Sequence, residues 1–282
     1  MSVPFENFDF SAFWDNCEYA TENYICEFPT DEIIGSIEAE LGYTLPESYI
    51  RMMKIQNGGI PLNCCFPTTE STSWAEDHVA ISGIMGIGRT KQYSLCGRLG
   101  SQFMIDNWGY PEIGIYICDC PSAGHDMIML DYRKCGRDGE PAVVHVDQES
   151  DYEITFLAKD FETFIRGLVS EEVYDTSEED KETNLISIEN GRFSTTLVKL
   201  FKANQSINFD QILRNILTEL IHEKGYFALH ADELSYLVYD IQFYLYSRQN
   251  RIASGEKYLK AYPNMIAFGD GDISTRGFAP AF

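Results

Sequence analysis

Apolar residues recur at helical spacing at both ends of this chain, and at the period of a sheet in between. Phe10, Phe13 and Trp14 fall at i, i+3, i+4, with Asp15, Glu18 and Glu22 pointing elsewhere, which predicts an amphipathic helix over 10–20 with an acidic outer face. Phe28-Pro29-Thr30 breaks the chain. Thr30 is placed to cap a second helix, with Asp31 and Glu32 at its dipole-positive end and Ile33, Ile34, Ile37 and Leu41 along one face. Gly42 suits the position after that helix, where positive φ is cheap, and Pro46 suits the start of the next. Tyr49, Met52 and Met53 share a face there, and Asn57-Gly58-Gly59 stops the helix and turns the chain.

From Ile60 to about Ser73 the pattern is that of a loop. Val79–Ile87 reads as a strand interrupted by Gly83 and Gly86, 94–105 fits neither period, and Asn107–Pro111 is a turn. Alternation then predicts strands at Glu112–Cys120, His125–Asp131, Ala142–Asp147 and Ile154–Ala158. Spacings this short favour antiparallel neighbours. Asp160 can cap a closing helix with Phe161, Phe164, Ile165 and Leu168 on one face. The first domain, 1–169, is therefore α+β: a mostly antiparallel sheet with helices before and after it. The polar, acidic run 170–183 reads as a linker, with an exposed helical extension as the alternative. Helical periods at Leu197–Phe201, Phe209–Leu220 and Leu234–Leu245 make 184–282 an all-helical domain. Its tail from Phe268 has no assignable pattern.

Charge adds direction to this picture. The formal net charge is −23, and residues 1–50 hold eleven carboxylates but no Lys or Arg. Residues 1–170 carry a net −17, residues 171–182 a net −6, and the remainder none. Such a field repels phosphate backbones and anionic membrane surfaces, and it attracts a basic protein partner. Solubility alone is the competing explanation. The first residues lack the basic and apolar regions of a signal peptide. No run of about 18 apolar residues suggests a membrane span. Eight cysteines in that context point to reduced thiols and a cytoplasmic setting.

The pieces occur in a telling order: Leu41-Gly42, Leu45-Pro46 and Tyr49, then Asn57-Gly58-Gly59, Trp74, Asp131-Tyr132, Gly139-Glu140-Pro141, and Phe161 with Phe164. This order resembles the SUKH superfamily, specifically its Smi/Knr-type domain, over about 10–169. The resemblance implies a curved sheet flanked by helices and a non-enzymatic role. Bacterial members are similar to immunity proteins that bind secreted toxins, often nucleases; the eukaryotic branch is tied to cell-wall synthesis and signalling. It carries over no catalytic residues and no cofactor, and the matching Leu45, Pro46, Asn57 and Gly58 have structural roles. It does not extend to 184–282.

Four sets of residues are candidates for function. The acidic set, above all Glu18, Glu22, Asp31 and Glu32, is the favoured partner surface, competing with the reading of a merely solvated face. Trp74, Trp108 and Tyr110 lie near loops and are either interface anchors or plugs at the sheet's ends. Cys118, Cys120, His125 and Cys135 are four possible zinc ligands, though C-x-C spacing and the ease of burying Cys argue for packing. His145 and Asp147 share a strand face as a base and its orienter would, without a nucleophile beside them. Gly83, Gly86, Gly88 and Arg89 fit no phosphate-loop spacing. The expectation is a non-enzymatic binding protein, an immunity protein for a basic toxin domain. The alternatives are a regulatory scaffold that recruits partners through its helical domain, and a metal-dependent enzyme built on the Cys/His set.

Overall fold

In a computed structural model of the chain, residues 3–249 are described. They divide into two compact units, the second beginning at Asp175. The first is α+β, as the alternation predicts. Its centre is a five-stranded antiparallel sheet, β5(Gly83–Ile84), β6(Gly114–Asp119), β7(Asp126–Asp131), β8(Ala142–Asp147) and β9(Glu153–Ala158), each strand beside the next in sequence. Two small pairs precede it: β1(Trp14–Asp15) with β2(Ile60–Pro61), and β3(Cys65–Pro67) with β4(His78–Ala80). Register shifts between Tyr116 and Cys118 and between Val143 and Val144 interrupt the ladders, and such irregularities bend a sheet. Every residue of β6 and β7 is buried, so both faces are covered. Edge strand β9 leaves Phe156 exposed.

Helices supply the covering layers. α2(Asp31–Leu41) is capped by the Thr30 hydroxyl, which accepts from Ile33 N, and ends at Gly42 with φ 77°. α3(Glu47–Met53) begins just after Pro46 and buries Tyr49, Met52 and Met53. α4(Ser101–Trp108), which falls in the stretch with neither period, packs on β6 and closes at Gly109 with φ 76°. α5(Phe161–Gly167) is capped by Asp160, whose carboxylate accepts from Thr163 N at 2.7 Å, and packs on β8 and β9. Tyr49 and Phe161 meet edge to face with centroids 4.9 Å apart, and the Tyr49 hydroxyl donates to the Met85 carbonyl.

The helix expected over 10–20 does not form. Asp9 accepts from Ser11 N and Oγ, a local turn that competes with helix, and the chain passes through turns into β1. Phe8, Phe10 and Phe13 pack on one another and Phe13 stands edge-on to Trp14, so spacing that suggests a helical face reflects an aromatic cluster along a turning chain. The helix begins later, as α1(Glu18–Asn23).

The acidic run read as a linker is also structured. Val169 bridges to Cys65, and a 3-10 turn at Glu171–Tyr174 lays Tyr174 flat on His78 with centroids 3.8 Å apart, so the first unit continues past residue 169. α6(Ser177–Asn190) follows, with Glu178, Glu179 and Asp180 at its dipole-positive end and Ile188 buried. The second unit also contains α7(Thr195–Ala203), α8(Phe209–Lys224) and α9(Glu233–Gln249), the three helices the periodicity predicts. Its core gathers Leu197, Leu213, Leu217, Leu220, Val238 and Leu245. Residues 250–282 of the expected helical domain, with its tail, lie outside the described residues.

Removing the Tyr49 hydroxyl leaves the buried Met85 carbonyl without its donor. Tyr49→Phe is therefore expected to lower unfolding free energy by about 1.5 kcal/mol, with an unchanged denaturant slope. Urea unfolding followed by near-UV circular dichroism measures it, and an unshifted midpoint would show that the bond contributes nothing.

Candidate partner-binding surface

Asn57, in the turn that follows α3, braces three segments. Its amide nitrogen donates to the carbonyls of Glu27 at 2.5 Å and Ile87 at 2.9 Å, and its amide oxygen accepts from Ile87 N at 2.6 Å. Its own backbone carbonyl accepts from Cys26 N at 2.8 Å. The glycines around it permit this approach. A Cβ on Gly58 would lie 2.7 Å from the Gly86 nitrogen, and one on Gly86 would lie 2.4 Å from the Asn57 carbonyl oxygen. Asn57-Gly58-Gly59 thus does more than end a helix: α3 already stops at Met53, and the triplet fastens residues 26–27 to residues 86–87.

A second anchor lies nearby. Tyr24 is buried, stacks on Tyr93 with centroids 4.6 Å apart, and donates its hydroxyl to both oxygens of Asp119 at 2.9 Å. Burial raises the Asp119 carboxyl from 3.8 to about 7, and the bond from Tyr24 opposes this with the smaller effect. Gly83 makes room, since a Cβ there would lie 2.3 Å from the Tyr24 ring.

Held between these anchors is an open groove of about 770 Å³. Glu22 and residues 25–30 line one side, Thr90 and the Arg89 and Lys91 side chains another, and Ile33 projects from α2. Phe28 is 71% exposed and Ile33 41%, and both line the groove. The basic groups are engaged: Arg89 pairs with Glu40 and Lys91 donates to the Thr21 carbonyl. Glu18, Glu22, Glu27 and Glu32 are exposed, and none makes a side-chain hydrogen bond or ion pair with a described residue. Asp31 differs, being paired with Lys54 at 2.7 Å. Glu22 and Glu27 line this groove with Phe28 and Ile33, and neither carboxylate is paired with a described residue.

The aromatic candidates separate. Tyr110 is 2% exposed and donates to the Gly124 carbonyl, so it is an end plug of the sheet. Trp108 is half-buried against Gly124 and the His125 ring. Trp74 alone is substantially exposed, in a loop tied to the sheet by Ser73 N donating to Asp147. Phe28, the most exposed of the large apolar side chains, was not marked as a site by sequence. The pattern shows only a chain break there, and exposure is a tertiary property.

The proposed zinc ligands do not converge. Cys118 is sealed in the core, His125 sits in a turn beside Gln148 and Glu149, and Cys135 lies near the Tyr132 and Gly136 carbonyls. Among the described residues the three-donor cluster is a different one: Cys120, Asp126 and His145. His145 is also not oriented by Asp147. Its Nε2 meets Asp126 at 2.8 Å, while Asp147 accepts from Ser73 N, Ser150 N and Ser150 Oγ. At 0% exposure, His145 faces no solvent-borne substrate. Gly83, Gly86 and Gly88 serve close packing against Tyr24, Asn57 and Cys26, and Arg89 is spent on Glu40, so no phosphate cradle exists at this loop.

The first unit is thus an antiparallel sheet closed by helices, with a braced groove at its surface. Residues 31–165 match the SUKH_6 family model, described as SMI1-KNR4 cell-wall, and this segment is a SUKH domain of the Smi/Knr type. Domains of this family are in general non-catalytic immunity or regulatory modules. No curated protein matches the chain. The match begins at α2, so Glu18, Glu22, Glu27 and Phe28 precede it and Glu32 lies within it. Among the described residues no helix is long and apolar enough to cross a membrane.

Two outcomes follow from the anchors. Asn57→Ala strips three side-chain bonds from buried backbone groups and should cost about 3 kcal/mol of unfolding free energy. Thermal and urea unfolding of the full chain test this, and a loss below about 0.5 kcal/mol would remove Asn57 from its bracing role. For Asp119, the folded value lies above the unfolded one, so its contribution to stability is complete below about pH 4 and is lost as pH rises through 7. The stability difference between Asp119→Asn and the parent should move in the variant's favour from pH 4 to 7 and level off above. A difference flat with pH, from urea titrations at fixed ionic strength, would contradict the burial effect.

Proposed function

We propose that this chain is a stoichiometric protein-binding module of the immunity type, which neutralises a basic toxin domain by covering it with the acidic surface around the Phe28 groove. The observation that carries this reading is that Glu22 and Glu27 line the groove with exposed Phe28 and Ile33, and that these two carboxylates, like those of Glu18 and Glu32, make no side-chain bond to a described residue. A domain that handles nucleic acid presents Lys and Arg for phosphate, and carboxylates spaced along a surface can occupy those groups in its place. Charge governs the rate of encounter, and the aromatic contact governs how long the complex lasts. Setting and partner follow from the same reading: a cytoplasmic protein meeting a basic polypeptide, with no nucleic acid and no membrane.

A second reading, an intracellular regulatory scaffold, is favoured by one observation, the cell-wall description of the family that matches. Under it, several weaker partners would map to the helical second unit.

Purification of the tagged full-length chain from its native cells, eluted across a salt gradient, separates the two. A single basic polypeptide in equal amount, released as salt rises, supports the immunity reading; several acidic or neutral partners retained by residues beyond 175 support the scaffold. With that basic partner in hand, Glu18→Lys, Glu22→Lys and Glu32→Lys combined should slow association about tenfold or more at low salt. Asp31→Asn, which removes a carboxylate paired with Lys54 and changes the charge by one unit against six, should do much less. Phe28→Ala should speed dissociation with little change in association. Unchanged association of the triple variant in stopped-flow mixing would exclude this surface.

A further inference from the structure

We propose that Cys120, Asp126 and His145 form an internal metal site that takes a zinc-like divalent cation as the first unit folds. The three come from different strands. Cys120 directly follows β6, Asp126 opens β7, and His145 lies within β8. The register sets Asp126 opposite Asp147 and Ile128 opposite His145, so Asp126 and His145 are diagonal neighbours on one face of the sheet. One donor atom from each of the three residues lies within 4.8 Å of the others. Exposure is 2% for Cys120, 1% for Asp126 and 0% for His145.

Two features point to a ligand there. One oxygen of Asp126 and Nδ1 of His145 are buried with no hydrogen-bond partner among the described residues, although the other oxygen of Asp126 meets Nε2 at 2.8 Å. Buried polar groups are rarely left so, and the unpartnered Asp126 oxygen near the Cys120 sulfur calls for a further participant, whereas Nδ1 lies across the ring from that contact. Charge is the second feature. A thiolate, a carboxylate and a neutral imidazole around a divalent cation sum to zero, which suits a dry interior better than an ionised pair does. Sulfur, nitrogen and carboxylate oxygen are a donor set that zinc accepts, and the three residues give one donor atom each. Binding replaces the thiol proton of Cys120 with the metal and releases that proton to solvent, so uptake is tied to folding and weakens as pH falls. Cys118, equally buried and two residues away, is outside the cluster and serves as the control.

The test uses the full chain, unfolded in chelator and refolded with zinc or with cobalt. The expected result is one zinc per chain by elemental analysis, a melting temperature that falls on chelation, and with cobalt a thiolate-to-metal charge-transfer band. Cys118→Ala should keep both the metal and the band. Cys120→Ala should lose the band while retaining the far-UV spectrum of the parent. Folded wild-type chain that takes up no stoichiometric zinc would overturn the proposal, as would a band that survives Cys120→Ala. Should Cys120→Ala fail to fold, Cys120→Ser at the same position decides: an intact band there overturns the site, and its loss supports it.

Discussion

The first unit depends on how a few buried backbone groups find partners where three segments cross. Asn57 supplies those partners: its side-chain amide satisfies both polar groups of Ile87 and the carbonyl of Glu27, while its own backbone carbonyl accepts from Cys26 N. No regular element could do this, because the segments meet at a point and run in different directions. A side-chain amide can, since it donates twice and accepts at its other end. The missing side chains of Gly58 and Gly86 let the backbones come close enough for the amide to span them. Everything outward of this point, including the turn at Phe28 and the loop that carries Arg89, inherits its position from it.

Much of the fold was legible in the sequence, for physical reasons that differ by region. The meander from Gly114 to Ala158 announces itself because each strand is short and bounded by turn residues, so the local pattern and the tertiary pairing agree. Thr30, Gly42 and Asp160 mark helix ends through local chemistry that needs no context. The failures share a cause. Aromatic residues at Phe10, Phe13 and Trp14 satisfy the spacing of a helix, but their rings are satisfied by one another and by the body of the domain. The acidic stretch after Ser170 reads as a linker or as an exposed helical extension, and from Ser177 it is the second, with carboxylates at the helix start and Ile188 buried. In both cases composition was read correctly and the partner was missing from view.

Function was legible less evenly. The acidic bias of the N-terminal region is plain in the sequence, but which carboxylates remain available is not. Asp31 and Glu32 are adjacent in the chain, and one is paired with Lys54 while the other has no partner among the described residues. The grouping of Cys120, Asp126 and His145 is equally invisible until register is known. The eye pairs His145 with Asp147, its neighbour two residues on, whereas the sheet gives it Asp126 from the adjacent strand.

The opening aromatic arm has one more consequence. Phe5 N donates to Glu162, Arg166 lies over the rings of Phe5 and Phe8, and Phe5 stands edge-on to Phe161, so the first residues are fastened to the last helix of the same unit. The polypeptide thereby closes into a ring, with its beginning serving as the clasp on its end. The boundaries of the family match, 31–165, cut through that ring on one side. The segment that matches the family model therefore leaves out the opening residues that form the clasp.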